Sequence, residues 1–367
     1  CLSTEGYKDG NWILLDCGEI VVHIMTKEVP PRIHAILARG RSCATVFRRG
    51  PSNQVAVIGW DLDTDEFTLG QWLYGRIYEY RCDLSPDGKY LLYFAAKYGR
   101  VNPVEARIRE LVNAQVGEFD WFAYTEKKYF AYSKKCEDLE MQIRKKYAVE
   151  LNKLRNRRDY TDASWTAISR TPYLKALDLW FKGSGWNGGG WFVDSSHVWI
   201  NKPPPHCGEH FYHTRSGKFK ELAQAPDLRL ERENGGECPG IYLARLERDG
   251  WQFCEETETY AKYVKPLPYD LWLIKRFYFN GKCPSPAGYG CYWEEHDLSR
   301  GKELLLAGNT WRWADYDAKH KRILFAVNGM IFALRLKTPD VPPALLYDFN
   351  DMKYERLPAP YACPDSM

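Results

Sequence analysis

From residue 33 to residue 96 the chain alternates short apolar runs with turn chemistry. Ile36-Leu37-Ala38 leads to Gly40, and Ala44-Thr45-Val46-Phe47 stops at Arg48-Arg49-Gly50-Pro51. Val55-Ala56-Val57-Ile58 runs into Trp60-Asp61. Short apolar runs rich in β-branched residues and bounded by Gly, Pro and Asp predict strands. The clearest unit is Cys82 to Phe94, where Ser85-Pro86-Asp87-Gly88 separates an acidic strand end from Tyr90-Leu91-Leu92-Tyr93-Phe94. Pro presets φ there and Asp-Gly supplies a positive-φ corner. The same style recurs at Trp165-Thr166-Ala167-Ile168-Ser169. Ile241 to Leu246 with Asp249-Gly250-Trp251 reads as strand, turn, strand. Trp313 to Asp317, Arg322 to Ala326 and Met330 to Leu334 follow, with the hairpin dipeptide Asn328-Gly329 between the last two.

One stretch breaks this pattern. Val104 to Val116 predicts a short helix, and Tyr132, Cys136, Leu139, Ile143, Tyr147, Leu151 and Leu154 recur at helical spacing. Glu126 to Arg158 carries eleven Lys/Arg against five Asp/Glu. The helix at 126–158 either grips an acidic partner or nucleic acid, or packs its apolar stripe on the strands with a solvated basic face. The repeating unit, aromatic then Asp then turn then apolar strand, resembles a blade of the TolB-like and WD40-like β-propellers. Residues 33–361 without the insertion leave ~270 residues, about six blades at ~40–45 residues each. Five or seven blades fit nearly as well, and an open array of β-sandwiches is the alternative. The expected fold is all-β: a β-propeller of about six blades over 32–361, a helical insertion at about 104–158, and a β-hairpin within 1–31.

That hairpin comes from Asn11 to Met25, two apolar β-branched runs around Asp16-Cys17-Gly18-Glu19. The stretch Gly6 to Met25, with its Trp, apolar pair, Asp, Gly, acidic residue, apolar run and His, resembles the central hairpin of the ribosomal silencing factor family. The resemblance implies binding to the large ribosomal subunit, with Trp12, Asp16 and His23 as contact residues. After Val29 the chain reads Pro30-Pro31, where that family continues into a helix. A fusion, a truncated gene or an assembly join would explain the change. The chain opens at Cys1 with no basic-then-apolar leader, so a piece lacking its true start is expected ahead of a cleaved lipoprotein.

Composition narrows the classes. The 367 residues carry 51 Lys+Arg against 48 Asp+Glu, so charge gives no global case for nucleic acid. No run of ~18 apolar residues predicts a membrane-spanning helix. With 14 Trp, 25 Tyr and 16 Phe, the aromatic content favours strands. Eleven scattered cysteines without a CxxC pair suggest free thiols and a reducing cytoplasm.

Several segments could carry chemistry. Gly183-Ser184-Gly185-Trp186-Asn187-Gly188 matches GxGxxG, but a strand pattern follows where a dinucleotide site needs a helix N-terminus. His206-Cys207-Gly208-Glu209-His210 is the densest ligand cluster, with His206, Cys207 and His210 as candidate zinc ligands. Asp61 to Glu66 resembles the start of a calcium loop, yet Glu66 stands where Gly belongs and Trp72 where Glu belongs. No GxSxG elbow or HExxH occurs.

The reading is a non-enzymatic binding protein of the cytoplasm, with no cofactor and a protein partner. Trp186 and Trp191 around the Gly-rich segment, and Tyr289 and Trp293 around Cys283 to Cys291, are its expected contact residues. The alternatives are a silencing-factor-like translation regulator, and a propeller hydrolase acting on a sugar or lactone in a central channel.

Overall fold

The apolar runs pair as antiparallel meanders. The computed structural model describes residues 30–50, 54–97, 103–117, 125–155, 164–182, 187–202, 211–214, 216–222, 238–279, 286, 291–339 and 341–361, together with strand segments 3–5, 12–16 and 21–25. The first three strands, β1 (Ser3–Glu5), β2 (Trp12–Asp16) and β3 (Val21–Met25), form a sheet of their own in sequence order. Four strands then make a second meander: β4 (Arg32–Leu37), β5 (Cys43–Arg49), β6 (Gln54–Asp61) and β7 (Glu66–Tyr74). β4 is buried almost throughout, whereas β7 alternates toward solvent.

Next come β8 (Arg76–Ile77), a 3-10 turn at Glu79–Arg81, β9 (Asp83–Leu84) and β10 (Tyr90–Ala96). The turn before β10 is built as its residues dictate. Gly88 has φ +70°, its N–H donates to the Ser85 carbonyl at 2.8 Å, and Ser85 Oγ donates to Asp87. A Cβ at Gly88 would meet Cys43 Sγ at 2.2 Å, so only Gly fits.

The insertion is three helices: α1 (Pro103–Val116), α2 (Glu126–Lys146) and α3 (Ala148–Arg155). Their apolar faces close on one another: Val104, Ile108 and Val112 meet Ile143 and Leu151 in a separate small core. The stripe predicted on α2 therefore covers α1 and α3 rather than the sheets.

β11 (Ser164–Arg170) and β12 (Ala176–Lys182) rejoin β10 in a sheet that ends at β15 (Phe211–Thr214). Between them, β13 (Gly190–Phe192) and β14 (His197–Ile200) pair with β16 (Lys220–Glu221), which runs parallel to β14. The segment predicted as strand at Ile241 to Leu246 is instead α4 (Cys238–Arg248). Its six consecutive residues are all buried, which erases the helical period that would have revealed it. The helix formers Ala244, Arg245, Leu246 and Glu247, Pro239 in the first turn, and Gly250 (φ +86°) beyond the end are the signals that did exist.

Two more meanders complete the chain. One holds β17 (Gln252–Glu256), β18 (Tyr260–Leu267), β19 (Leu271–Tyr278), β20 (Trp293–Arg300) and β21 (Glu303–Gly308). The other holds β22 (Trp313–Asp317), β23 (Arg322–Val327), β24 (Met330–Arg335) and β25 (Ala344–Asp348). Asn328 and Gly329, at φ +50° and +77°, make the tight turn between β23 and β24.

The chain is thus mostly β, in several antiparallel sheets packed face to face. Ile58 and Trp60 of the β4–β7 sheet meet Leu324 and Ile331 of the last sheet. On its other face, Phe47 and Val57 meet Leu91 and Ala167. Leu92 and Ile168 meet Phe192 and Val198. Trp191 and Trp199 pack on Ile241 and Ala244 of α4, while Tyr242 and Leu246 pack on Leu273 and Phe277 of β19. Among the described residues this series does not form a closed ring of four-stranded blades. A three-stranded sheet and α4 stand between the sheet of β10 and that of β19.

Candidate functional site

Where β4, β22 and α4 converge, they enclose a cavity of about 780 Å³. One wall is β4 and the turn after it, from His34 to Ser42. The second runs from Trp313 through Asp315 to Lys319, and the third is the last turn of α4 with Trp251. Lys265 of β18 and Lys275 of β19 close the inner end.

The lining is strongly cationic. Arg39, Arg41, Arg245, Arg248, Lys265, Lys275 and Lys319 face three carboxylates, Asp249, Asp315 and Asp317. Four of the seven cations are balanced. Arg248 is held by Asp83 (2.6 and 2.9 Å) and by Asp249 (2.8 Å). Lys265 meets Asp315 at 2.5 Å, Lys319 meets Asp63 at 2.6 Å, and Lys275 meets Glu294 at 3.1 Å.

The other three have no carboxylate at ion-pair distance among the described residues. Arg39 donates to the Phe192 carbonyl at 2.8 Å, and Arg245 donates to the Cys82 carbonyl while lying over the Tyr242 ring. Arg41 is exposed. Burial, and then the neighbouring Arg248, pull the Arg39 pKa below its ordinary value.

The inner end is a buried polar network. Lys275 Nζ donates to the Tyr242 hydroxyl at 2.8 Å and to Glu294 Oε2, and Tyr242 in turn donates to Glu294 Oε1. His296 lies alongside, with Nδ1 3.0 Å from the Trp311 carbonyl oxygen and Nε2 3.2 Å from Glu294. Burial alone would raise the Glu294 carboxyl, but Lys275 and His296 outweigh it and hold it below the usual range. Burial lowers Lys275 against the pull of Glu294, and burial with Glu294 raises Tyr242 well above a free phenol. Lys275 and Glu294 together form a neutral, dehydrated pair.

His34 belongs to the same end but joins no pair. It is 5 % exposed, edge-on to Tyr242 and Trp313, and its Nε2 has no hydrogen-bond partner. Burial pulls its pKa down to about 3, partly opposed by Glu294, so the ring is neutral at pH 7. A second cavity of about 30 Å³, bordered by Arg32, Arg49, Glu79 and Arg312, also touches the ring.

The residues singled out from sequence fall elsewhere. Trp191 is 1 % exposed and packs on Trp199 with ring centroids 4.4 Å apart. Trp293, 4 % exposed, stacks on Tyr278. Both were expected on exposed loops, yet they sit on strands and fill the core. Trp186, Tyr289, His206, Cys207 and His210 lie outside the described residues. Trp12, Asp16 and His23 lie on β2 and β3, where His23 pairs with Leu14, two positions from both Trp12 and Asp16. Among the described residues no group of three His, Cys, Asp or Glu could hold a metal. The calcium-like segment is a turn: Asp61 accepts the N–H groups of Asp63 and Thr64, and Asp65 accepts from Arg322. Gly188 to Gly190 lead into β13 and not into a helix, which removes the dinucleotide reading.

Fold and site together define a mostly β scaffold with a basic cavity between its sheets. Residues 1–30 match the family described as ribosomal silencing factor during starvation. No curated protein matches the chain. Among solved structures, the chain is similar to the tricorn protease at 9 % identity and a TM-score of 0.20, over 93 % of this chain and 24 % of that one. It is also similar to the acylaminoacyl peptidase of Pyrococcus horikoshii at 9 % identity and a TM-score of 0.23, over 92 % of this chain and 48 % of that one. No helix among the described residues is long and apolar enough to cross a membrane.

Proposed function

We propose that the protein is a binding protein on a propeller-like β scaffold of about six blades, and that the cavity between β4, β22 and α4 holds a small anionic ligand. The observation that carries this is the charge of the lining: seven cations against three carboxylates, with Arg39, Arg41 and Arg245 left without a carboxylate partner among the described residues. A group of guanidinium donors, one of them buried, is matched best by an anion with several oxygens. Titration calorimetry with inorganic phosphate tests it. Arg41→Gln and Arg39→Gln should each weaken phosphate binding several-fold, and wild-type affinity should fall as salt rises. Binding that ignores both substitutions would place the anion elsewhere.

The hydrolase reading uses the same cavity. Lys275 lines it but is locked against Tyr242 and against Glu294, which lies outside the lining, and this favours binding over turnover. Turnover of a sugar or lactone that is lost in Asp315→Asn, with the variant shown folded by thermal unfolding, would reverse that preference. A second reading, contact with the large ribosomal subunit, rests on the match over residues 1–30. Co-sedimentation with large subunits that survives removal of residues 1–29 would end it. A cytoplasmic site of action and a protein partner are part of the same proposal.

A further inference from the structure

If the cavity is an anion site, as proposed above, its inner end decides what else the ligand carries. Exposure falls along the cavity. Arg41 and Lys319 (60 % exposed) stand at the mouth, whereas His34, Tyr242 and Lys275 are buried at the far end. The mouth is charged. The far end is polar: Lys275 and Glu294 offset each other there, and the buried Arg245 lies over the Tyr242 ring.

Most hydrogen-bonding capacity at that end is already committed. The Tyr242 hydroxyl donates to Glu294 and accepts from Lys275. The Lys275 ammonium is shared between these two. His34 Nε2 and the donor Trp251 Nε1 are the exceptions, buried and without a partner among the described residues, and of the two the imidazole is the one that can also accept. An orphaned buried nitrogen is costly, so a ligand atom that meets it gains affinity and selectivity together. A neutral imidazole carries one N–H and one lone pair, and which nitrogen holds the proton follows from its partners. A hydroxyl both donates and accepts, so it suits either tautomer. Tyr242 and Trp313 flank the ring with apolar surface, and about 780 Å³ accommodates a pentose or hexose with its charged group.

We propose that the ligand is a phosphorylated sugar, its phosphate among Arg39, Arg41 and Lys319 and one sugar hydroxyl on His34. His34 is then the specificity-determining residue of the cavity, and the arginines supply affinity without choosing among anions.

The experiment is calorimetric titration of the full chain with ribose 5-phosphate, inorganic phosphate and free ribose, for wild type, His34→Phe and His34→Asn. Thermal unfolding establishes that each variant is folded. The expected result is that wild type prefers ribose 5-phosphate over inorganic phosphate by about tenfold. His34→Phe should abolish that preference with phosphate affinity intact, and His34→Asn should keep part of it. In wild type, the His34 ¹⁵N resonances should move with ribose 5-phosphate and not with phosphate, a readout that needs no variant to fold. A preference that persists in His34→Phe overturns the proposal, as does wild type binding both anions equally. In those cases phosphate binding stays and the anion-site reading survives. Failure of wild type to bind either anion overturns both.

Discussion

Lys275 and Glu294 neutralise each other where neither touches water, at 2 % and 0 % side-chain exposure. Taking two charges out of water is costly, and attraction repays it only while both remain. Glu294→Gln should therefore destabilise the fold by about 3–5 kcal/mol in urea unfolding, because it strands a buried ammonium. The double variant Lys275→Met/Glu294→Gln should recover most of that loss. If the single variant is neutral, the pair is not the desolvated contact described here. One clue to this network was visible in the chain. In β19, Leu271, Leu273, Lys275 and Phe277 share the inward parity, so a lysine occupies a core position of an otherwise regular strand. In β20, Glu294 and His296 share a parity with Leu298 in the same way. Reading them as a site required knowing that Tyr242 lies opposite, and its segment was read as a strand.

Elements with strong local chemistry were legible. The Ser85 to Gly88 turn, the Asn328-Gly329 hairpin and the helical period of the insertion depend on neighbours in sequence and appear where expected. α4 was not legible, because tertiary packing buries it on all sides and removes its amphipathic signal. The aromatic residues misled in a related way. Trp191 and Trp293 look like contact residues by type, but strand parity and cross-strand stacking make them core. The insertion has its own core, and it connects two strands that are direct neighbours, with Ala96 paired to Ser164. Replacing residues 98–163 by a short Gly-containing turn should therefore leave the remaining sheets folded, with near-unchanged phosphate binding and a melting temperature shifted by a few degrees at most. Collapse of the shortened chain would mean that the helices brace the sheets.

At the scale of the molecule, the first large sheet and the last one are clamped together. Arg322 of β23 reaches Asp317 at 2.8 Å, Asp65 at 2.6 and 2.8 Å, and the Leu62 carbonyl at 2.9 Å. Arg48 of β5 donates to the Phe349 carbonyl from the opposite side. Arg322→Met leaves the buried Asp317 with His320 alone and should cost about 2–4 kcal/mol. Hydrogen exchange should then rise in β4–β7 and β22–β25 together. A rise confined to β23 would show that the two sheets do not open as one unit.

That clamp joins residues about 250–300 positions apart in a chain made from one end to the other. While the ribosome is still adding the middle of the protein, Ile58 and Trp60 have no Leu324 or Ile331 to cover them, and Arg48 and Asp65 lack their partners Phe349 and Arg322. Synthesis at about 5–20 residues per second leaves that apolar face bare for tens of seconds. The nascent chain, more than the finished protein, is the form that needs protection from aggregation.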